Sequence, residues 1–388
     1  VRNHGDWQLD IYLRGLSGER PDLPVAFDEL ERRAEAAMSP ELWSYVAGGA
    51  GDERTQRANV AAFERWGLLP RVLAGAAERD LSVELFAHRL PTPLLLAPVG
   101  VLGLCDPEGH GDLATARAAA VVGVPMVAST LSEDPLEDVA GALGSTPGWF
   151  QLYPPSDREL AASLVRRAER AGFSAVVITL DTLTLGWRPR DLQLASFPQL
   201  KGRCLANYFT DPVFCSKLAR PPEEDPEAAT GMWAMLFGNQ HLSWDDLAWL
   251  RSLTELPLLL KGVCAAEDAR RALDAGVDGI WCSNHGGRQA NGGLPALQCL
   301  PDVVDAAGGA PVIFDSGVRS GADVAKALAL GARAVAIGRP YAYGLALSGQ
   351  RGVEHVLRCL LAELDLMLAI DGYPSVAALG RDALRHVP

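Results

Sequence analysis

From Leu94 onward, short apolar runs alternate with longer amphipathic stretches. The runs are too short for most helices and are bounded by turn residues, so they predict strands. Eight follow in order, over residues 94–98, 125–129, 149–153, 175–181, 257–261, 279–283, 312–315 and 334–338. Most are continuously hydrophobic, as parallel strands covered on both faces must be. Segments such as 157–171, 265–275 and 321–330 carry helical spacing between them. Eight β/α units favour a closed barrel, because an open sheet would leave two edges to protect. The expected fold class is α/β, a (β/α)8 TIM barrel.

Two regions depart from this rhythm. Residues 1–90 read as a mainly helical segment; over 26–46 the apolar spacing is helical and is interrupted by Ser39-Pro40, a cap followed by proline at a first helical position. After the fourth strand, roughly seventy residues pass before the fifth, too long for a structureless connection inside a compact unit. The insertion, placed at 184–247, is expected to cross the top of the barrel as a lid. The whole chain, 1–388, is expected to form one such barrel domain.

Composition narrows the partners. Forty-eight acidic against 35 basic residues give a net charge of −13, which disfavours nucleic acid or an anionic membrane as a partner. The seven cysteines are dispersed, without a CxxC pair or a metal-ligand cluster, as expected of reduced thiols in a cytoplasmic protein with no metal. No apolar run approaches the ~18 residues of a membrane span.

The chemistry concentrates where the strands end. Barrel active sites are built at the C-terminal ends of strands. Those ends read Pro98-Val99-Gly100, Ser129, Gln151 with Tyr153, Thr179 with Asp181, Lys261, Ser283-Asn284-His285, Asp315 and Gly338-Arg339. Seven apolar strands ending in polar or titratable residues are hard to explain as packing. The last two, DSGVRSG from Asp315 and GRP from Gly338, pair glycine with Arg319 and Arg339 just before predicted helices. That combination suits a phosphate at a helix N-terminus. In SNHGGRQ, His285 opens a glycine-rich turn three residues before Arg288. A base beside a cation able to grip a carboxylate suits proton removal next to that carboxylate. Asp181 could orient the imidazole, and Arg188 offers a second guanidinium. Arg190 reads as an outward or structural charge.

The motifs SNHGGRQ, FDSGVRSGADVAKALALGARAVAIGRP, WFQLY and ITLDT together resemble the FMN-dependent 2-hydroxy-acid-oxidising enzymes of the glycolate oxidase and lactate oxidase type. Within that family the chain is most similar to the lactate 2-monooxygenase subgroup, through SYVAGGAGDERTQRANV, LDTLTLGWRPRDL, LANYFTDPVF and SNHGGRQANGGLPAL. The resemblance implies FMN as cofactor, with Pro98, Val99, Gly100, Ser129, Gln151, Thr179, Lys261 and Ser283 around the flavin ring and ribityl chain. Asp315, Gly317, Arg319, Gly338 and Arg339 would hold the ribityl and phosphate. It makes His285 the catalytic base paired with Asp181, and gives Lys261 the task of favouring the anionic reduced flavin. Tyr45, Arg188 and Arg288 would take the substrate carboxylate and Tyr153 the hydroxyl, while Tyr208 would close over the substrate. The implied reaction converts L-lactate and O2 to acetate, CO2 and water. Release of keto acid and hydrogen peroxide, on lactate or a bulkier acid such as mandelate, is the alternative; a non-catalytic flavin-binding barrel is a remote one. A homo-oligomer, tetramer or octamer, is implied as well. Leu183 and Trp187 stand where glycolate oxidase has proline and arginine.

Overall fold

The computed structural model describes residues 3–86 and 88–387. Val1, Arg2, Ala87 and Pro388, which the expected domain and segment bounds include, lie outside the described residues. Eight parallel strands close a barrel: β1 (Leu94–Leu96), β2 (Met126–Ala128), β3 (Gly148–Leu152), β4 (Val176–Thr179), β5 (Leu258–Val263), β6 (Gly279–Cys282), β7 (Val312–Phe314) and β8 (Ala334–Ile337). Each falls within or beside a predicted run, and β8 pairs with β1 through Val335↔Leu94 to complete the circle. The helices Arg158–Ala171, Ala266–Asp274 and Gly321–Ala329 lie where helical spacing placed them.

Period-two alternation decides what the barrel holds. Leu95, Val127, Trp149, Val177, Leu259, Trp281, Ile313 and Ala334 point inward and form one buried cluster. Two residues further along the same faces come Ala97, Ser129, Gln151, Thr179, Lys261, Ser283, Asp315 and Ala336. The lower interior is thus an apolar plug and the upper layer a largely polar ring.

The N-terminal region is richer than its predicted helical character. Helices Asp6–Gly15, Phe27–Ala37, Pro40–Ala47 and Arg54–Ala61 are present, and Ser39 caps the third by accepting from the Leu42 N–H. Three short strands here, and a fourth near the C-terminus, were not anticipated. Trp66–Leu68 pairs with Leu384–His386 near the C-terminus, while Val83–Leu85 pairs with His88–Leu90. Leu85 and Leu90 of this second pair join the inner cluster, and Phe86 meets Trp149 edge-on at 5.8 Å. Phe86 also reaches the first residue of β6, Gly279, so the pair closes the barrel at the end opposite its polar ring.

The insertion is built from short helices, including Pro189–Gln193, Ala206–Phe209, Pro212–Cys215 and Pro226–Phe237. Buried polar contacts pin it. Asn207 donates to the carbonyls of Ser129 and Thr130 and accepts from the Leu136 N–H at 2.7 Å. Arg167, on the helix after β3, donates to the Asn207 carbonyl at 2.7 Å and to Asp211 at 3.2 Å. Asp211 in turn caps Pro212–Cys215 and accepts from Ser163. Among the described residues no helix is long and apolar enough to cross a membrane.

Removing one partner of a buried, hydrogen-bonded ion pair leaves the other charge uncompensated. Arg167→Met is therefore expected to destabilise the protein by about 3–5 kcal/mol. A lower thermal midpoint with new proteolytic cleavage around residues 205–215 would show it; an unchanged midpoint and cleavage pattern would contradict it.

Candidate active site

The polar ring opens into a cavity at the C-terminal end of the strands. Fourteen of the residues singled out in the sequence line it together: Tyr45, Pro98, Val99, Gly100, Tyr153, Arg188, Lys261, His285, Arg288, Asp315, Gly317, Arg319, Gly338 and Arg339. Ser129, Gln151, Thr179 and Ser283, in the same ring as Lys261 and Asp315, are buried in its floor. Asp181 stands behind His285. Tyr208 does not line the cavity: it is fully buried, packed edge-on against Phe214 at 5.8 Å inside the insertion. A tyrosine on a four-residue helix has no periodicity to reveal which way it faces.

His285 occupies a strained turn. Its φ of +57° is left-handed, as are those of Gly286 and Gly287 after it, and non-glycine residues hold such angles only when the surroundings fix them. Here the His285 N–H donates to Ser283 Oγ and the Gly286 N–H to Ser316 Oγ. The ring is fixed as well, with Nδ1 at 2.8 Å from Asp181 Oδ1 and 3.2 Å from Thr182 Oγ1. Nε2 is then the nitrogen available to a substrate. Asp181 comes this close because β5 is irregular at Gly262, whose φ is +107°; a Cβ there would lie 2.8 Å from the Asp181 Cβ.

Charge at the site is lopsided. Burial lowers the His285 pKa, and Lys261 and Arg188 add to this against the raising effect of Asp181, so the resting imidazole is neutral. Burial opposes the ionisation of Asp181, but His285 and Lys261 outweigh it and hold the carboxyl below its ordinary value. Burial likewise opposes the charge on Lys261, yet Asp315 and Asp181 hold its ammonium charged. Its Nζ lies 3.1 Å from Ser283 Oγ and 3.5 Å from Asp315. Burial and Arg188 push Arg288 down to about 10; burial and Arg288 push Arg339 to about 9. Guanidiniums remain protonated in proteins, so the depression reflects first the cost of burying these charges and second their closeness to one another. Such a cavity favours anions.

Two anchoring regions can be told apart. Arg188, Arg288 and Tyr45 cluster near His285, with both guanidiniums over the Tyr45 ring at 5.7 and 5.0 Å. Arg319, over the Phe27 ring at 4.7 Å, lines the cavity with Gly317 and Gly338. The helix after β7 has its N-terminus closed by a capping box of Ser320 and Asp323. The helix that begins at Arg339 has no side-chain cap, leaving its first turn free for an anion. A Cβ on Gly338 would meet only Val99, at 3.9 Å, so its backbone borders open space. Arg339 itself is engaged with the carbonyls of Val46, Gly48 and Gly286 and with Gln56, bracing the N-terminal segment against the His285 turn.

The chain also has close relatives. The family described as FMN-dependent dehydrogenase matches residues 34–386. The chain belongs to the FMN-dependent dehydrogenase family. It is 43% identical to an L-lactate oxidase of Lysinibacillus sphaericus over 95% of each chain. It is 42% identical to an FMN-dependent alpha-hydroxy acid dehydrogenase of Penicillium citrinum, covering 99% of this chain and 96% of that one. Among solved structures, a soluble mutant of the membrane-associated (S)-mandelate dehydrogenase from Pseudomonas putida superposes with a TM-score of 0.81 at 36% identity, over 93% of this chain and 99% of that one. This FMN-dependent dehydrogenase family member oxidises a 2-hydroxy acid.

The floor fits FMN. Gln151 Nε2 and Thr179 Oγ1 are buried with no hydrogen-bond partner, an expensive state unless a polar ligand completes them. The carbonyls and imide of a flavin pyrimidine ring supply that chemistry. Several cavity residues carried no signal of their own. Thr182, Leu131, Phe197 and Phe237 line it from loops and from the insertion, where spacing says nothing of orientation.

A base that rests neutral requires kcat/KM to be level near pH 7 and to fall below an apparent pKa under the usual histidine value of 6.5. Because Asp181 raises the imidazole pKa, Asp181→Asn should move that acid limb to lower pH and reduce kcat. His285→Ala should slow flavin reduction by substrate by about 10²–10⁴-fold while the protein stays FMN-bound and yellow. Retained reduction would overturn the assigned base.

Proposed function

We propose that the enzyme oxidises L-lactate and holds the products together, so that lactate and O2 become acetate, CO2 and water. The observation that carries the substrate class is the convergence of two neutrally partnered guanidiniums and a neutral imidazole in one cavity. Arg188 donates to the Arg288 carbonyl and to Gln289, and Arg288 to the carbonyls of Gly48 and Val46. Their charge therefore remains for a substrate carboxylate.

Tyr45 keeps the two guanidiniums in register by lying under both. Burial, with Tyr45 and Asp181 nearby, pushes the Tyr153 phenol up, so it stays protonated and can donate to the substrate hydroxyl or product carbonyl. His285 Nε2 takes the proton released during oxidation, and the Asp181 carboxylate stabilises the imidazolium that forms. Gln151, Thr179, Lys261 and Ser283 on the floor, with Arg319 and the Gly338 turn at the phosphate, would hold FMN, which when bound would supply the two-electron acceptor for the oxidation. Leu131, Leu185, Phe197 and Phe237 add apolar lining to the cavity, which suits the short apolar side chain of a small acid.

Pyruvate and hydrogen peroxide retained together yield acetate, CO2 and water; released separately they are the products of an oxidase. Retention is favoured by how the insertion is tied down: Gln199 donates to the Gly100 carbonyl at 3.0 Å, and Asn207 clamps the end of β2. A pinned roof slows product escape relative to a mobile one. The oxidase reading is favoured by the 43% identity to an L-lactate oxidase.

Product analysis on L-lactate under air, with catalase absent, separates the two. The proposal expects acetate and CO2 in step with O2 consumed and little free peroxide. Stoichiometric pyruvate and peroxide would contradict it.

A further inference from the structure

Arg188 reaches the cavity from a loop, and one neutral side chain decides where it points. Gln289 Oε1 accepts a hydrogen bond from Arg188 Nη2. The other half of the same amide, Nε2, donates to the Asp181 carbonyl at 3.1 Å and to the Thr184 carbonyl at 2.9 Å. The loop is also pressed close to residue 289, since a Cβ on Gly186 would lie 2.4 Å from the Gln289 carbonyl oxygen. One half-buried amide thus joins the carboxylate-binding cation, the residue that orients the base and the loop connecting them.

The chemical type of this residue matters as much as its position. Among the described residues neither Arg188 nor Arg288 has a carboxylate within ion-pair distance. Asp191, bonded to Ser44, acts on Arg288 only through space. An amide can hold a guanidinium without cancelling its charge, whereas a carboxylate at the same place would form the bidentate pair that the substrate is meant to form. An apolar residue would release Arg188 into alternative rotamers and leave two loop carbonyls unpaired.

We propose that Gln289 is a positioning residue for substrate binding: it aims Arg188 with a neutral acceptor, reserving that cation for the substrate carboxylate, and locks the Asp181–Thr184 loop in the same arrangement. This rests on the reading of Arg188 as a carboxylate ligand, and the experiment separates the two.

Gln289→Glu and Gln289→Met are compared with Arg188→Met in the FMN-loaded full chain, with oxalate as a carboxylate probe that has no hydrogen to abstract. Oxalate affinity is read from the flavin absorbance change, and steady-state constants from L-lactate oxidation. Gln289→Glu is expected to raise both KM and the oxalate Kd about tenfold or more, because lost ground-state binding appears in KM, and to lower kcat as well, since a carboxylate cannot donate to the Asp181 and Thr184 carbonyls. Gln289→Met, which keeps the charge but removes the tether, should raise KM less and also lower kcat, as the Asp181 loop loosens. Unchanged oxalate affinity in both Gln289 variants while Arg188→Met weakens it would overturn the Gln289 role alone. Unchanged affinity in Arg188→Met would overturn the carboxylate reading itself. If Gln289→Glu does not load FMN, Gln289→Met decides: a fall in kcat with KM and oxalate affinity unchanged marks a merely structural residue and overturns the proposal.

Discussion

The contact between Asp181 and His285 governs the chemistry of this barrel. The surrounding cavity is crowded with positive charge, from Lys261, Arg188, Arg288 and Arg339. That field favours a substrate carboxylate but penalises a proton arriving on the imidazole. Asp181 resolves the conflict: it fixes Nδ1 as the donor, leaves Nε2 as the base and opposes the field when the imidazolium forms. Its Oδ2 is buried without a partner, so its stabilisation comes from these cations and from the Nδ1 and Thr182 contacts on the other oxygen.

Much of the fold exists to make that contact possible. The apolar plug beneath the ring, closed by the Val83–Leu85 and His88–Leu90 pair, surrounds the charges above it with low-polarity material, so they act at low effective dielectric. The bulge at Gly262 admits Asp181, and the left-handed turn at His285 presents the ring to the cavity. Ser283, Asp315 and Ser316 connect that turn to Lys261 through short hydrogen bonds, among them Ser283 Oγ to Asp315 Oδ1 at 2.6 Å.

Strand ends were the legible part of the sequence. Eight hydrophobic runs each ended at or beside a residue that the barrel places in its mouth or in the floor beneath, because parity along a strand ties side-chain direction to position. The insertion and the bottom closure were harder to read. Helices of four or five residues and strands of three, as at Val83–Leu85, are shorter than the window in which periodicity becomes visible. Orientation off the strands was hidden for the same reason, so Tyr208 looked available to substrate although it packs against Phe214. Gln289 entered only as the last residue of SNHGGRQ, without a role: an amide in a polar turn has no compositional signature, and its value lies in three contacts made across more than a hundred residues of sequence.

The protonation state of His285 at rest is the claim on which this account stands, and it can be observed directly. ¹⁵N NMR of histidine-labelled, FMN-bound enzyme near pH 7 should show one imidazole that is neutral, protonated at Nδ1 and bare at Nε2, and should lose that signal in His285→Ala. An imidazolium at His285, or the opposite tautomer with Nε2 protonated, would contradict it.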